Sequence, residues 1–300
     1  MPSTFGGYGV SRYIDGLTKG RPDEPGPDSS TVHFETLGQQ VPVMSNSPNQ
    51  WTAARGMILR TEVGSTVHGT SIDSQNDRDE IGVCVEPPSA ILGLSEVKHY
   101  TFRSAGEGER SRPGDLDLVV YGLRRFVGLA EAGNPTILLP LFVPDSAICY
   151  VDDVGRQLRA NAPLFLSKAA GNRFRGYLQS QRKGLLGERS GGTRNQGRAD
   201  IREKYGFDTK FAMHMVRLGL QGVEYLTTGR ITLPIPEPDR TWLRDLRQGR
   251  HTLQEALDRA RALDDRLEQL VASSTLPARP DRRRIDAFLV DTYQQWWARG

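Results

Sequence analysis

A short apolar run, Ile58-Leu59, leads into Gly64-Ser65-Thr66-Val67-His68-Gly69. A polar loop from Thr70 to Asn76 follows, then Asp77-Arg78-Asp79 and a second apolar run, Ile81-Gly82-Val83-Cys84-Val85. That order constrains the chain more than any other feature, because it spells strand, tight turn, loop and strand, with carboxylates opening the second strand. On an extended strand, side chains two residues apart share a face, with their Cα atoms roughly 6.5–7 Å apart. Asp77 and Asp79 are therefore expected on one face, where their oxygens can share divalent cations. An Asp-x-Asp pair or a Gly-Ser turn alone is common in loops. Their succession carries the argument.

The chemistry that needs both parts is nucleotidyl transfer. A nucleoside triphosphate must be held with its phosphates neutralised while a hydroxyl attacks in line, and two metal ions about 3.5–4 Å apart stabilise the attacking and leaving oxygens together. Mg²⁺, with Mn²⁺ as its substitute, is a hard cation that takes carboxylate and phosphate oxygens. Asp77 and Asp79 suit it as ligands. At Gly64-Ser65, glycine lets backbone N–H groups and a hydroxyl approach the triphosphate closely. Gly69 fits the same loop.

A third carboxylate is expected on a neighbouring strand. Asp115-Leu116-Asp117-Leu118-Val119-Val120-Tyr121 begins with strict polar and apolar alternation, before Leu123-Arg124-Arg125-Phe126-Val127 takes on helical spacing. Asp115 and Asp117 share one face. Asp117 lies deeper in the strand and is the preferred third ligand or general base, with Asp115 as the substitute.

These segments together resemble the predicted nucleotidyltransferases of the DNA polymerase beta superfamily. The residues that carry the likeness are Gly64-Ser65, Asp77-Arg78-Asp79, Asp117 leading into Leu123-Arg124-Arg125-Phe126, and Gly133-Asn134-Pro135-Thr136-Ile137-Leu138. A second block, Tyr205-Gly206-Phe207-Asp208-Thr209-Lys210 with His214, Arg217-Leu218, Glu224-Tyr225-Leu226 and Gly229, is similar to the helical region of the RNA repair pathway nucleotidyltransferase family. The similarity runs from about Ile58 to Arg250. The first block implies the fold and metal-dependent nucleotidyl transfer, and the second implies the narrower family. Thr66 and His68 stand where relatives often carry a basic or small residue, and Leu139-Pro140-Leu141-Phe142 occupies a stretch where a Glu is expected.

Length and composition agree with an enzyme of this kind. A chain of 300 residues can bury a sizeable core. It has no apolar run of membrane-spanning length, and no basic N-terminal region followed by an apolar core, so a cytoplasmic protein is expected. The two cysteines, Cys84 and Cys149, lie in apolar segments and read as buried thiols rather than a disulfide or zinc framework.

The formal net charge is only +3, yet the span 156–204 gathers Arg156, Arg159, Lys168, Arg173, Arg175, Arg182, Lys183, Arg189, Arg194, Arg198, Arg202 and Lys204. Such a field favours phosphate-rich ligands, and nucleic-acid affinity would then fall steeply with salt. Aromatic residues able to stack on bases are sparse there, so the span by itself does not define a nucleic-acid surface. The loop from Gly184 to Gly197 reads equally as a solvated linker and as a segment that orders on substrate. Beyond it, Asp208 is placed to cap a helix on which Lys210, His214 and Arg217 fall at i, i+4 and i+7. That stripe is a candidate grip on the triphosphate or the acceptor.

From about Thr241 the pattern is amphipathic helix. Leu253, Leu257, Ala260, Leu263, Leu267 and Leu270 recur at helical spacing. A last helix, Ile285 to Trp297, offers Phe288, Leu289, Tyr293, Trp296 and Trp297 for docking, with core packing preferred over a second subunit.

The expected architecture is α/β (α+β): a polymerase-beta-like core with a mixed sheet, and a helical C-terminal region. Its expected parts are a loop-rich segment over 1–50, the nucleotidyltransferase core over 51–150, a basic loop with substrate-contacting helices over 151–240, and a helical extension over 241–300. Asp77, Asp79 and Asp117 are the catalytic and metal-binding candidates, while Gly64, Ser65, Lys210, His214 and Arg217 are those for the nucleotide. The expected reaction joins a nucleoside monophosphate from an NTP to a hydroxyl, with RNA or tRNA as first acceptor. The rivals are nucleotide transfer to a protein, as in toxin and antitoxin systems, and a catalytically silent nucleotide-binding module.

Overall fold

Strands form where β-branched and aromatic residues dominate. In the computed structural model, which describes residues 48–72, 78–94, 97, 99–105, 114–188 and 199–299, five of them make one sheet. These are β1 (Met57–Val63), β2 (Arg78–Cys84), β3 (His99–Arg103), β4 (Leu116–Gly122) and β5 (Ile148–Val151), in the order β3-β4-β2-β1-β5. β2 and β4 run parallel, and every other neighbouring pair is antiparallel. The sheet is therefore mixed, as expected.

Apolar side chains cover both faces of the central strands, and this is why β2 and β4 read as nearly continuous apolar runs after their polar openings. On one face Leu59, Ile81, Val83, Val119 and Tyr121 enter a large core shared with the helices. On the other, Met57, Cys84, Tyr100, Phe102, Leu118 and Val120 pack with Ala53 of α1 (Pro48–Arg55).

Most helices are bounded by caps legible in the chain. α2 (Ser65–His68) is a single turn closed by Gly69 at φ 70°; α3 (Pro88–Leu92) begins on prolines. α4 (Leu123–Glu131) leaves β4 directly, and Gly133 at φ 72° follows its end, as the Gly-Asn-Pro sequence suggests. α5 (Pro135–Phe142) and α6 (Asp153–Ala160) are capped by the side chains of Asn134 and Asp152. α7 (Lys168–Leu185), α8 (Ala199–Tyr205), α9 (Thr209–Thr228), α10 (Asp239–Arg247), α11 (Leu253–Ser273) and α12 (Arg282–Trp297) complete the chain order. The Asp208 carboxylate accepts the Phe211 N–H at the start of α9, while Thr252 and Glu255 form a capping box on α11.

α7, α9 and α11 pack tightly because small residues face the contact. A Cβ placed at Gly219 of α9 would come 2.8 Å from both Leu178 and Leu263. α12 docks on the core. Its Tyr293 hydroxyl donates to the Glu86 carboxylate, and the Trp297 indole N–H donates to the Glu86 carbonyl at 2.9 Å. The same carboxylate accepts the Leu123 N–H at the start of α4, so Glu86 ties the last helix to the sheet. Burial pushes the Glu86 carboxyl above the usual carboxylate range.

One expectation about the thiols is corrected. Cys84 is buried, but Cys149 is exposed. β5 is an edge strand, and Cys149 faces a polar patch around Glu62 and Glu80 instead of a covering helix. The apolar neighbours of Cys149 in sequence could not reveal that. Among the described residues, no helix is long and apolar enough to cross a membrane.

Candidate active site

Pairing between β2 and β4 sets Asp79 directly opposite Asp117. Residues directly opposite on neighbouring strands point to the same face, and the strands lie about 4.8 Å apart. The two carboxylates thus form one row on the helix-covered face, in line with Ile81 and Val119. Asp117 is only 3 % exposed. The row continues in both directions: Arg103 of β3 stands opposite Asp117, and Val63 of β1 stands opposite Asp79.

The Gly-Ser turn begins where that row ends. Gly64 follows Val63 at φ 85°, and a Cβ there would fall 2.4 Å from Oδ2 of Asp79. Only glycine both adopts this backbone conformation readily and leaves room for the carboxylate. Beyond the turn a small set of hydroxyls gathers, with the Ser71 hydroxyl 3.4 Å from those of Ser65 and Thr66. The Thr70 N–H closes the turn on the Ser65 carbonyl at 2.9 Å.

α9 comes to the back of this turn. His68 is buried, with Gln221 of α9 3.3 Å from its Nδ1, and its carbonyl accepts the Ile235 N–H. Burial, reinforced by the Arg217 guanidinium, holds its pKa well below the ordinary histidine value. Gln221 lies four residues beyond Arg217, on the stripe that carries Lys210 and His214. The fold thus brings the Arg217 and Gln221 end of that stripe to the segment that follows Gly64. The Arg217 guanidinium lies 3.1 Å from Nδ1 of His214. Lys210, His214 and Arg217 all lie within α9, Thr209–Thr228.

Asp115 sits just before β4. Its carboxylate accepts the Ser104 hydroxyl at 2.9 Å, and its carbonyl accepts the Arg78 N–H. Asp117 is the residue that faces Asp79. Asp77 lies outside the described residues, as do Arg189, Arg194, Arg198 and the 106–113 segment.

Arg103 escaped the sequence reading. Its Nε donates to Oδ1 of Asp117 at 2.9 Å. The signal for it is weak, because an arginine ending a short strand meets a partner only through strand register. The basic span is also less uniform than its composition implies. Arg156 pairs with Asp153, Arg159 binds the Val143 carbonyl, and Arg175 is held by Asp264 and Glu268 of α11. Those three charges are already engaged within the chain.

The donor set fits a hard divalent cation. Two carboxylates share a row, and the Gly64 turn leaves Asp79 a space that any side chain would fill. A mixed sheet bearing a Gly-Ser turn against a row of aspartates defines the class of polymerase-beta-like nucleotidyltransferases. A model of the RNA repair pathway DNA polymerase beta family matches residues 39–291, and the chain belongs to that family. A search of curated proteins finds no match. Among solved structures, a nucleotidyltransferase-like protein from Exiguobacterium sibiricum is similar at 12 % identity and a TM-score of 0.28, over 80 % of this chain and 75 % of that one. A likeness at that level adds nothing to the family assignment.

Proposed function

We propose that the protein transfers a nucleoside monophosphate from an NTP to a hydroxyl, with RNA or tRNA as the acceptor, and releases pyrophosphate. The observation that carries this reading is the in-register pair Asp79 and Asp117 against the Gly64 turn. Bound Mg²⁺ or Mn²⁺ would supply phosphate neutralisation and a more acidic acceptor hydroxyl. Asp79, with Asp77 beside it in sequence, would hold the ions, and Asp117 would complete the set.

The remaining work falls to the chain. The Ser65 hydroxyl and the backbone of the turn would bind the terminal phosphates. Lys210, His214 and Arg217 would contact the nucleotide. With Oδ1 of Asp117 held by Arg103, its other oxygen would take the acceptor proton as the new O–P bond forms and the bond to pyrophosphate breaks. Family membership and the basic span favour RNA over protein as the acceptor.

Incubation with each α-labelled triphosphate, Mg²⁺ or Mn²⁺, and RNA or a protein extract tests this. Label on RNA that disappears in Asp79→Asn and Asp117→Asn is the expected result. Label confined to protein would replace the acceptor. Nucleotide binding without transfer to either would overturn the enzymatic reading.

A further inference from the structure

We propose that Arg103 is a positioning residue that serves as the resident counter-ion of Asp117, so that the metal enters with the triphosphate and not ahead of it. This rests on the reading of Asp79 and Asp117 as metal ligands. Three strands set the row: Arg103 on β3, Asp117 on β4 and Asp79 on β2, each opposite the next. The side chain of Asp117 is 4 % exposed and that of Arg103 27 %, so the guanidinium closes the edge of the row while its partner stays buried. Two carboxylates at strand spacing repel when both are ionised, and a buried carboxylate needs a cation or donors. Arg103 supplies both a charge and an N–H to Oδ1.

Its position has a consequence for binding. A cation fixed beside Asp117 repels a divalent ion approaching the same row and occupies one of its oxygens. Free metal alone gains little from such a site. A triphosphate adds oxygens and negative charge, and these outweigh the single guanidinium. An arginine is suited to the task because its planar guanidinium presents N–H donors in a fixed fork that matches a carboxylate.

Mn²⁺ titration followed by electron paramagnetic resonance, with no nucleotide present, reads this directly. Arg103→Gln and Arg103→Met are expected to bind Mn²⁺ about tenfold tighter than the native protein, the order Coulomb's law gives for a unit charge roughly 6 Å from a dication in high dielectric. Arg103→Lys keeps the charge and stays near native affinity. With a non-hydrolysable nucleoside triphosphate present, the gap narrows. A merely structural role predicts weaker binding on substitution, so unchanged or weaker Mn²⁺ binding in both neutral variants, with native binding still lowered by Asp117→Asn, overturns the proposal alone. A gap that stays equal with the triphosphate present overturns the order of entry. Native Mn²⁺ binding untouched by both Asp79→Asn and Asp117→Asn sinks the metal-site reading itself.

Discussion

Asp79 and Glu80 are neighbours in the chain, yet the pleat of β2 sends them to opposite faces of the sheet and into different chemistry. Asp79 joins Asp117 in a row beside the Gly64 turn, with Arg103 reaching in from the edge strand. Glu80 is fully buried on the other face, where Arg60 and Arg78 both bind it and Arg78 also reaches Glu62. The carboxylates of Glu62 and Glu80 and the thiol of Cys149 lie within 4.8 Å of one another, a spacing that metal ligands also show. Two guanidiniums already meet that charge. Proximity of acids does not by itself make a metal site. What matters is how fully the fold's own cations meet them: Arg60 and Arg78 both bind Glu80, whereas Arg103 binds one oxygen of Asp117.

The two faces differ most in what their carboxylates are expected to do. Asp79→Asn or Asp117→Asn is expected to lower kcat/KM by about two to three orders of magnitude, measured as label transfer, while the protein stays folded. Glu80→Gln should do the reverse. It leaves Arg60 buried against a neutral amide and lowers stability in urea by about 3 kcal/mol, with Mn²⁺ affinity little changed. Equal effects of Asp79→Asn and Glu80→Gln on metal affinity would erase the distinction between the faces.

Smaller changes sharpen it. Gly64→Ala forces a side chain to adopt positive φ and to push on Asp79, costing about 1–2 kcal/mol in thermal unfolding together with a loss of Mn²⁺ affinity. His68 provides a pH test on the same face. Its native pKa is depressed, so below its ordinary value of 6.5 the unfolded chain binds a proton that the folded one refuses. Stability therefore falls as pH drops below that value, by up to about 1.4 kcal/mol per pH unit. His68→Gln should flatten that limb of the stability profile. On the arginine-rich face, Glu62→Gln removes a pair whose Arg78 side chain is half-exposed, and should shift stability by less than about 0.5 kcal/mol.

Local features of the fold were legible early. The Asp208 cap, the Gly133 stop, the amphipathic run from Leu253 and the alternation around Asp117 follow from neighbours within a few residues, where backbone sterics and short hydrogen bonds decide the outcome. Cys149 was misread because apolar neighbours in sequence do not say which strand lies at the edge. Arg103 was missed for a related reason: its partner is 14 residues away and is chosen by the register of an antiparallel pair.

The sequence by itself determined the mixed α/β class, the family and the order of turn and carboxylates, because periodicity, glycine and residue type act over short range. Tertiary structure alone decided that Asp117 rather than Asp115 faces Asp79, that Arg103 closes the row, and that α9 backs the Gly64 turn through His68. Those outcomes depend on strand register and helix packing, in which each residue's partner is selected by the burial of the whole core rather than by its neighbours in the chain.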